Sequence, residues 1–306
     1  MESMSANGPT PTEPVKGLPP VAPPSGRFII QLFLVPGFIV AIVVLGLLGI
    51  GYLFGSRHDP DHFLQQLDSG NADIRWRGAS DLAQSLKRPE SIALRSDAGF
   101  ALDLAERLQT ALADLNQSQK ETASRIGSLS PKEKERTRRE LESKRDLAQF
   151  LAAALGDFVI PVGVPLLCEM ALDDSSPDRN NNILQRRKAV WALGNLGENI
   201  KGFHKLPSIQ QSKILEFLQK ESKARGDRAR WAANALHYLQ KQPESPVPAG
   251  ITAVDQVLAK CARDDDRYLR AQVALVLNFW DSPLTEALLL ELARDDGHGS
   301  LPMIPD

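Results

Sequence analysis

Cysteine is almost missing from this chain. Cys168 and Cys261 are the only two, far apart in apolar helical contexts, so neither a disulfide framework nor a paired-Cys metal knuckle is expected, and both read as small buried hydrophobes. Net charge is also missing: the formal value is -2, which leaves no whole-chain field to attract nucleic acid or an acidic substrate. No alternating apolar–polar run of strand type occurs. Catalytic signatures are absent as well. There is no H-E-x-x-H and no G-x-S-x-G, and the Gly46–Gly51 cluster sits in an apolar run that cannot cradle phosphate. The histidines are scattered, and only His58 and His62 share helical spacing. Beside Asp59 and Asp61 at a helix start, that pair reads as surface rather than as a metal site. No catalytic residue, cofactor or metal is expected.

What is present begins with a tail, residues 1–26, holding Pro9, Pro11, Pro14, Pro19, Pro20, Pro23 and Pro24 among Gly, Ser and Thr. Such a composition buries too little apolar surface to order itself. From Phe28 to Ser56 the only ionisable side chain is Tyr52. Leu32 to Phe54 as a helix would extend ~34 Å, enough for a hydrocarbon core of ~30 Å. The run exceeds a cleaved signal region and no A-x-A-like site follows, so 27–56 is expected to be one transmembrane helix in contact with the bilayer. Lys16 and Arg27 on one side against Arg57 on the other favour the tail inside and the large C-terminal region on the non-cytoplasmic side. Gly51 and Gly55 form a small-x-x-x-small pair that could support weak self-association, although glycine is common in such helices.

After Asp59-Pro60, an N-cap with a first-turn proline, the pattern is helical to Arg294. Ser130-Pro131-Lys132-Glu133 and Ser208-Ile209-Gln210-Gln211 have capping-box form, and Ser282-Pro283 repeats the cap-plus-proline device. Breaks are expected near Gly70, 175–182, Gly202, Gly226, 243–250 and Gly297. The resulting helix pairs repeat. Arg186 is followed by Ala189, Ala192, Leu193 and Leu196; Arg270 by Val273, Val276, Leu277 and Trp280; Ala229 stands in the Arg place before Ala232, Ala235, Leu236 and Leu239. Leu151, Ala154, Leu155 and Phe158 form a partial copy. Leu155, Leu193, Leu236 and Leu277 step by 38, 43 and 41 residues. First helices repeat too, ending in Asp173-Asp174, Asp264-Asp265 and Asp295-Asp296.

On these residues the chain resembles the HEAT-repeat (armadillo-like) family from about Asp59 to Asp296. The resemblance implies an all-α, right-handed α-solenoid of HEAT-like helix pairs, here preceded by a single transmembrane helix, with each second helix lining one curved face. The expected layout is a tail (1–26), the span (27–56), a first pair (57–88), an oversized helical hairpin (89–158), HEAT repeats at 159–200, 201–242 and 250–281, and a capping helix with tail (282–306). The oversized unit follows from Leu82, which lies 73 residues before Leu155, nearly twice the period. There Leu104, Leu108, Leu112 and Leu115 should face Leu141, Leu147, Leu151 and Leu155. The charges of 132–145 include Glu133, Glu135, Glu140 and Glu142 and read as a solvated face, not a nucleic-acid surface. The resemblance also implies a ladder in which Arg75, Arg186 and Arg270 meet Asp73, Asp178 and Asp266 and fix the stacking.

Stacked helix pairs without a catalytic set point to a membrane-anchored scaffold or adaptor that binds another protein through its solenoid surface. The alternative is an enzyme or small-ligand binder using the concave face, as bilin lyases of similar fold do; the repeated His-Glu pairs of HEAT-like hydroxylases are absent. On helical wheels Trp76, Trp191 and Trp231 lie away from the inward leucine stripe, with Arg187 and Arg230 beside them. These five residues form the candidate partner-binding surface. The competing expectation is that each Trp packs against the neighbouring repeat.

Overall fold

The computed structural model describes residues 34, 36–46, 59–174, 179–240, 247–280 and 282–294, with side chains described from 182 onward in the segment that begins at 179. The chain divides into two compact units, 1–56 and 57–306. In the first, the described part of the expected span is a helix, α1 (36–46). Its side chains Phe38, Ile39, Val40, Ile42, Val43 and Leu45 are all exposed. Among the described residues no helix is long and apolar enough to cross a membrane. The remainder of 27–56, with Gly51 and Gly55, lies outside the described residues, as do the tail 1–26, Asp178 and the Asp295-Asp296 pair.

The second unit is all-α, and no strand forms among its described residues. Its helices are α2 (Pro60–Leu67), α3 (Ala72–Leu86), α4 (Ile92–Arg95), α5 (Ala98–Arg125), α6 (Pro131–Gly156), α7 (Val164–Leu172), α8 (Arg179–Phe203), α9 (Ser208–Glu221), α10 (Asp227–Gln240), α11 (Val254–Cys261), α12 (Arg267–Val276) and α13 (Thr285–Ala293). Short polar side chains start them by taking up amide hydrogens left free in the first turn. Asp59 accepts from the Asp61 amide, Asn71 from Asp73, Asp97 from Phe100 and Asp266 from Tyr268. Ser130 and Glu133 close the expected capping box on α6.

Two expected starts are corrected. Ser208 lies inside the first turn of α9 behind Pro207 and makes no side-chain cap; Gln211 instead donates to the Leu206 carbonyl (2.8 Å). Ser282-Pro283 forms a turn in which Ser282 accepts from the Leu284 amide, and α13 begins only at Thr285.

Helices α5 and α6 form the oversized hairpin. Lys144 reaches back to Asp114 and Ser118, while Phe100 meets Phe158 at the other end, so the two helices run antiparallel. Leu104, Leu108, Leu115, Leu151 and Leu155 are buried between layers and Leu112 and Leu147 half-buried. Helix α6 also packs on α3 and on α8, and α8 packs in turn on α12. Trp76 meets Phe150 near the start of the α3–α6 contact, and Lys87 lies by Asp157 near its end, so these second helices are parallel. The pairs Arg186–Asp264 and Trp280–Leu193 advance together along α8 and α12 in the same way.

The spatial row α3, α6, α8, α12 corrects the expected order of the repeats. Residues 201–242 do contain a helix pair, α9 and α10, but the second helices on which α8 packs are α6 and α12. The α9–α10 hairpin packs over α5 and α7 instead. Arg228 fixes it there, donating to Asp103 (2.7 Å), Glu106 (3.2 Å) and Glu221 (2.9 Å), with Gln109 donating to Asp227 and Gln210 to Ser96. Gly226, at φ +95°, makes the turn between its helices, a conformation that strains any residue with a Cβ. The return to the row is tied by Tyr238, whose hydroxyl donates to the Thr252 carbonyl (2.6 Å) and accepts from the Val254 amide.

Candidate functional site

The open side of the second-helix row is assembled from two segments. Helix α3 stops at Lys87 because the next residues, Arg88-Pro89, cannot continue it. On α8, Leu184, Lys188, Trp191 and Asn195 follow helical spacing and form one stripe. The two segments meet around Trp191, whose ring has the Lys87 ammonium at 5.1 Å and the Lys188 ammonium at 5.9 Å. A cation over an indole face is attracted by the ring quadrupole, so both lysines are held at the edge of a half-buried aromatic. Farther along α3, Trp76 is 37% exposed and stands edge-on to Phe150 at 5.9 Å.

Beneath Lys87 lies a buried polar cluster that the sequence reading missed. Arg95 donates from Nε to the Asp157 carbonyl (2.7 Å) and from Nη2 to the Asn199 side chain. Asn199 donates to the Gly156 carbonyl (3.0 Å). Together they satisfy carbonyls left free at the C-terminus of α6. Asp157 is only 5% exposed, and one of its carboxylate oxygens has no hydrogen-bond partner. Burial pushes its pKa up to about 6, against the opposing pull of Lys87, Arg95 and a hydrogen bond from Asn195. The same burial lowers the pKa of Arg95, opposed by Asp157. These groups come from four places in the chain, and only Asn195 and Asn199, four apart in an apolar helix, carried a signal of a polar site.

The five residues of the expected surface separate. Trp231 is 0% exposed and belongs to the core, which corrects its assignment to an open strip. Helix α10 packs on α9, α7 and α5, so the face that the wheel turned outward is covered by neighbours outside the row. Arg230 sits on the same helix and pairs with Glu169 (3.0 Å) and Asp227 (3.5 Å), away from Trp191. Arg187 is engaged by both carboxylate oxygens of Asp266 (2.6 Å each) and lies over the Tyr268 ring. Trp76 and Trp191 remain on the row. Trp76 and Lys87 are eleven positions apart on α3, ~16 Å along the axis, so the two tryptophans mark separate levels.

The expected Arg ladder takes a different form. Arg75 donates to the Ser69 carbonyl, Arg186 to the Ala171 carbonyl, and Arg270 to the carbonyls of Asp264 and Asp265. Arg186 therefore caps the last turn of the first helix in its own pair, whereas Arg75 and Arg270 hold the loop that follows theirs. Contacts between layers come from Arg186 with Asp264 (2.5 Å) and Arg187 with Asp266, so Asp266 serves Arg187 of the neighbouring layer.

Other chemistry is sparse. Cys168 and Cys261 are buried thiols; burial pushes the first well up and the second to about 11, which keeps both protonated. His62 is hydrogen-bonded to Gln66, and among the described residues no group of three or more His, Cys, Asp or Glu could hold a metal. The best-formed hollows are open depressions, one around Phe217 on α9 and one around Leu289 on α13. Comparison with known proteins returns nothing: no family model, no curated protein and no solved structure matches the chain.

Proposed function

We propose that this chain is a membrane-anchored adaptor of HEAT-like helix pairs that binds another protein on the open side of its second-helix row. The observation that carries the reading is Trp191 held between Lys87 and Lys188, with exposed Leu184 one turn before Lys188 on the same stripe. An aromatic ring flanked by cations and next to an exposed aliphatic side chain suits a partner segment that combines carboxylates with an apolar residue. The anchor reading rests on the ionisable-poor run 28–56 and on the outward apolar side chains of α1, which lipid would cover.

The test uses full-length protein in its own membranes with a photo-crosslinker at position 184. The double variant Lys87→Glu, Lys188→Glu should lose the crosslinked partner while staying folded, its melting temperature lowered only by the loss of the Lys87 charge beside Asp157, because both lysines are exposed. Trp231→Ala, by contrast, should cost ~3–5 kcal/mol of stability, as a core tryptophan does. A crosslink that survives the double charge reversal sinks the adaptor reading. A small molecule retained in stoichiometric amount by the purified chain would favour the ligand-binding alternative.

A further inference from the structure

The segment from the end of α8 through α9 to the turn before α10 carries a charge distribution unlike that of its surroundings. From Lys201 to Arg225 there are six basic residues, Lys201, Lys205, Lys213, Lys220, Lys223 and Arg225, against Glu216 and Glu221. All six are exposed, and none forms an ion pair among the described residues. Glu221 is taken up by Arg228. The basic groups that bridge helices elsewhere are matched to carboxylates, as with Arg107, Lys144, Arg186, Arg187 and Arg263.

The free charges are ordered by the helix. At about 100° per residue, Ile209, Lys213, Glu216 and Lys220 fall within about 40° of one line along α9, and Lys223 follows in the turn after it. Ile214 and Leu218 are buried on the opposite side. Ile209, at the start of the stripe, is 74% exposed, more than any other large hydrophobic among the described residues.

We propose that this stripe rests on an anionic phospholipid surface, with the lysines among headgroup phosphates and Ile209 in the headgroup–acyl boundary. The inference rests on the anchor reading above. Three features select a bilayer over an acidic protein. Five of the six free cations are lysines, compact point charges that suit phosphates in any orientation. The groups that pair with carboxylates inside this molecule are mostly arginines, whose planar fork suits bidentate partners. The stripe is open, bordering a shallow depression around Phe217. Finally, a span at 27–56 would tether the domain covalently to the bilayer. Weak contacts of about one headgroup per lysine then act at high effective concentration.

The experiment places the full chain in nanodiscs of phosphatidylcholine alone and in discs containing about one-third phosphatidylglycerol. Each lysine's rate of reaction with an amine reagent is then followed by peptide mapping. Lys205, Lys213, Lys220 and Lys223 should react about fivefold more slowly in the anionic discs, and high salt should erase the difference. Exposed Lys132 and Lys134 on α6 should react equally in both. The triple variant Lys213→Gln, Lys220→Gln, Lys223→Gln should return Lys205 to its rate in neutral discs. Equal rates in both disc types, or protection of Lys205 that survives the triple variant, overturn the proposal. Retention of the chain in discs after a salt wash is scored separately: loss from both disc types overturns the anchor, whereas retention with equal rates overturns only the surface contact.

Discussion

Asp157 is a buried carboxylate whose charge state bears on the fold. Its carboxyl is pushed from an ordinary value of 3.8 to about 6 chiefly by burial, so the folded chain binds a proton more tightly than the unfolded chain. The stability this contributes is complete below about pH 4 and is lost as pH rises through about 6. A tenfold change in proton affinity is worth about 1.4 kcal/mol, and Arg95 loses its counter-charge when the carboxylate goes, so Asp157→Asn should stabilise the chain by ~1–2 kcal/mol at about pH 7.5. Paired thermal melts should show that gain shrinking to nothing near pH 4. A variant less stable than the parent at both pH values would show that the charged form is favoured where it sits. At this scale the sequence was partly informative. The periodicity of α8 located Trp191 but set Arg187 beside it, whereas the lysine at the ring, Lys188, was not singled out. Lys87 and Asp157 arrive from other layers, and no local pattern announces a contact made by packing.

At the scale of the element, glycines record where helices approach each other. A methyl group at Gly197 would stand 2.8 Å from the Trp280 indole nitrogen, and one at Gly194 would stand 2.7 Å from Val276. At Gly156 it would meet the Ala192 carbonyl at 2.7 Å. In an exposed helix Gly→Ala gains about 1 kcal/mol, but overpacking costs ~1–3 kcal/mol, so Gly197→Ala should lower stability. It should also break the hydrogen bond from Trp280 to the Leu193 carbonyl (3.0 Å) and quicken amide exchange across α11 and α12 before α5 and α6. Unchanged exchange in α12 would mean that the helices adjust without cost. The equivalence of Leu155, Leu193 and Leu277 was legible because the same spacing recurs in helices that stand side by side. The copy at Leu236 misled: a helix that buries one face needs the same spacing whichever neighbour covers it. Residue periodicity therefore identified α10 as a second helix but could not say that it leaves the row.

For the whole molecule, the buried core among the described residues draws on residues from Phe63 to Leu288, all in the second unit. Removal of residues 1–56 should therefore leave a soluble, helical and cooperatively melting product, whereas the full chain should resist carbonate extraction from membranes. Circular dichroism of the fragment and carbonate washing of the full chain check the two halves; aggregation of the fragment, or release of the full chain by carbonate, would count against the separation of roles. The direct packing of α12 on α8 has a further bearing, on how the chain reaches this arrangement. A linear array closes each layer against the segment just made, so its contacts are local and any part can form first. Here Arg186 must find Asp264 and Trp280 must find Leu193, partners 78 and 87 positions apart. Closing so long a loop is entropically opposed until the intervening hairpin has shortened it by docking on α5 and α7. The order of assembly is thereby imposed by topology: the last layer waits for the hairpin, and ends of the chain distant in sequence melt as one transition instead of fraying layer by layer.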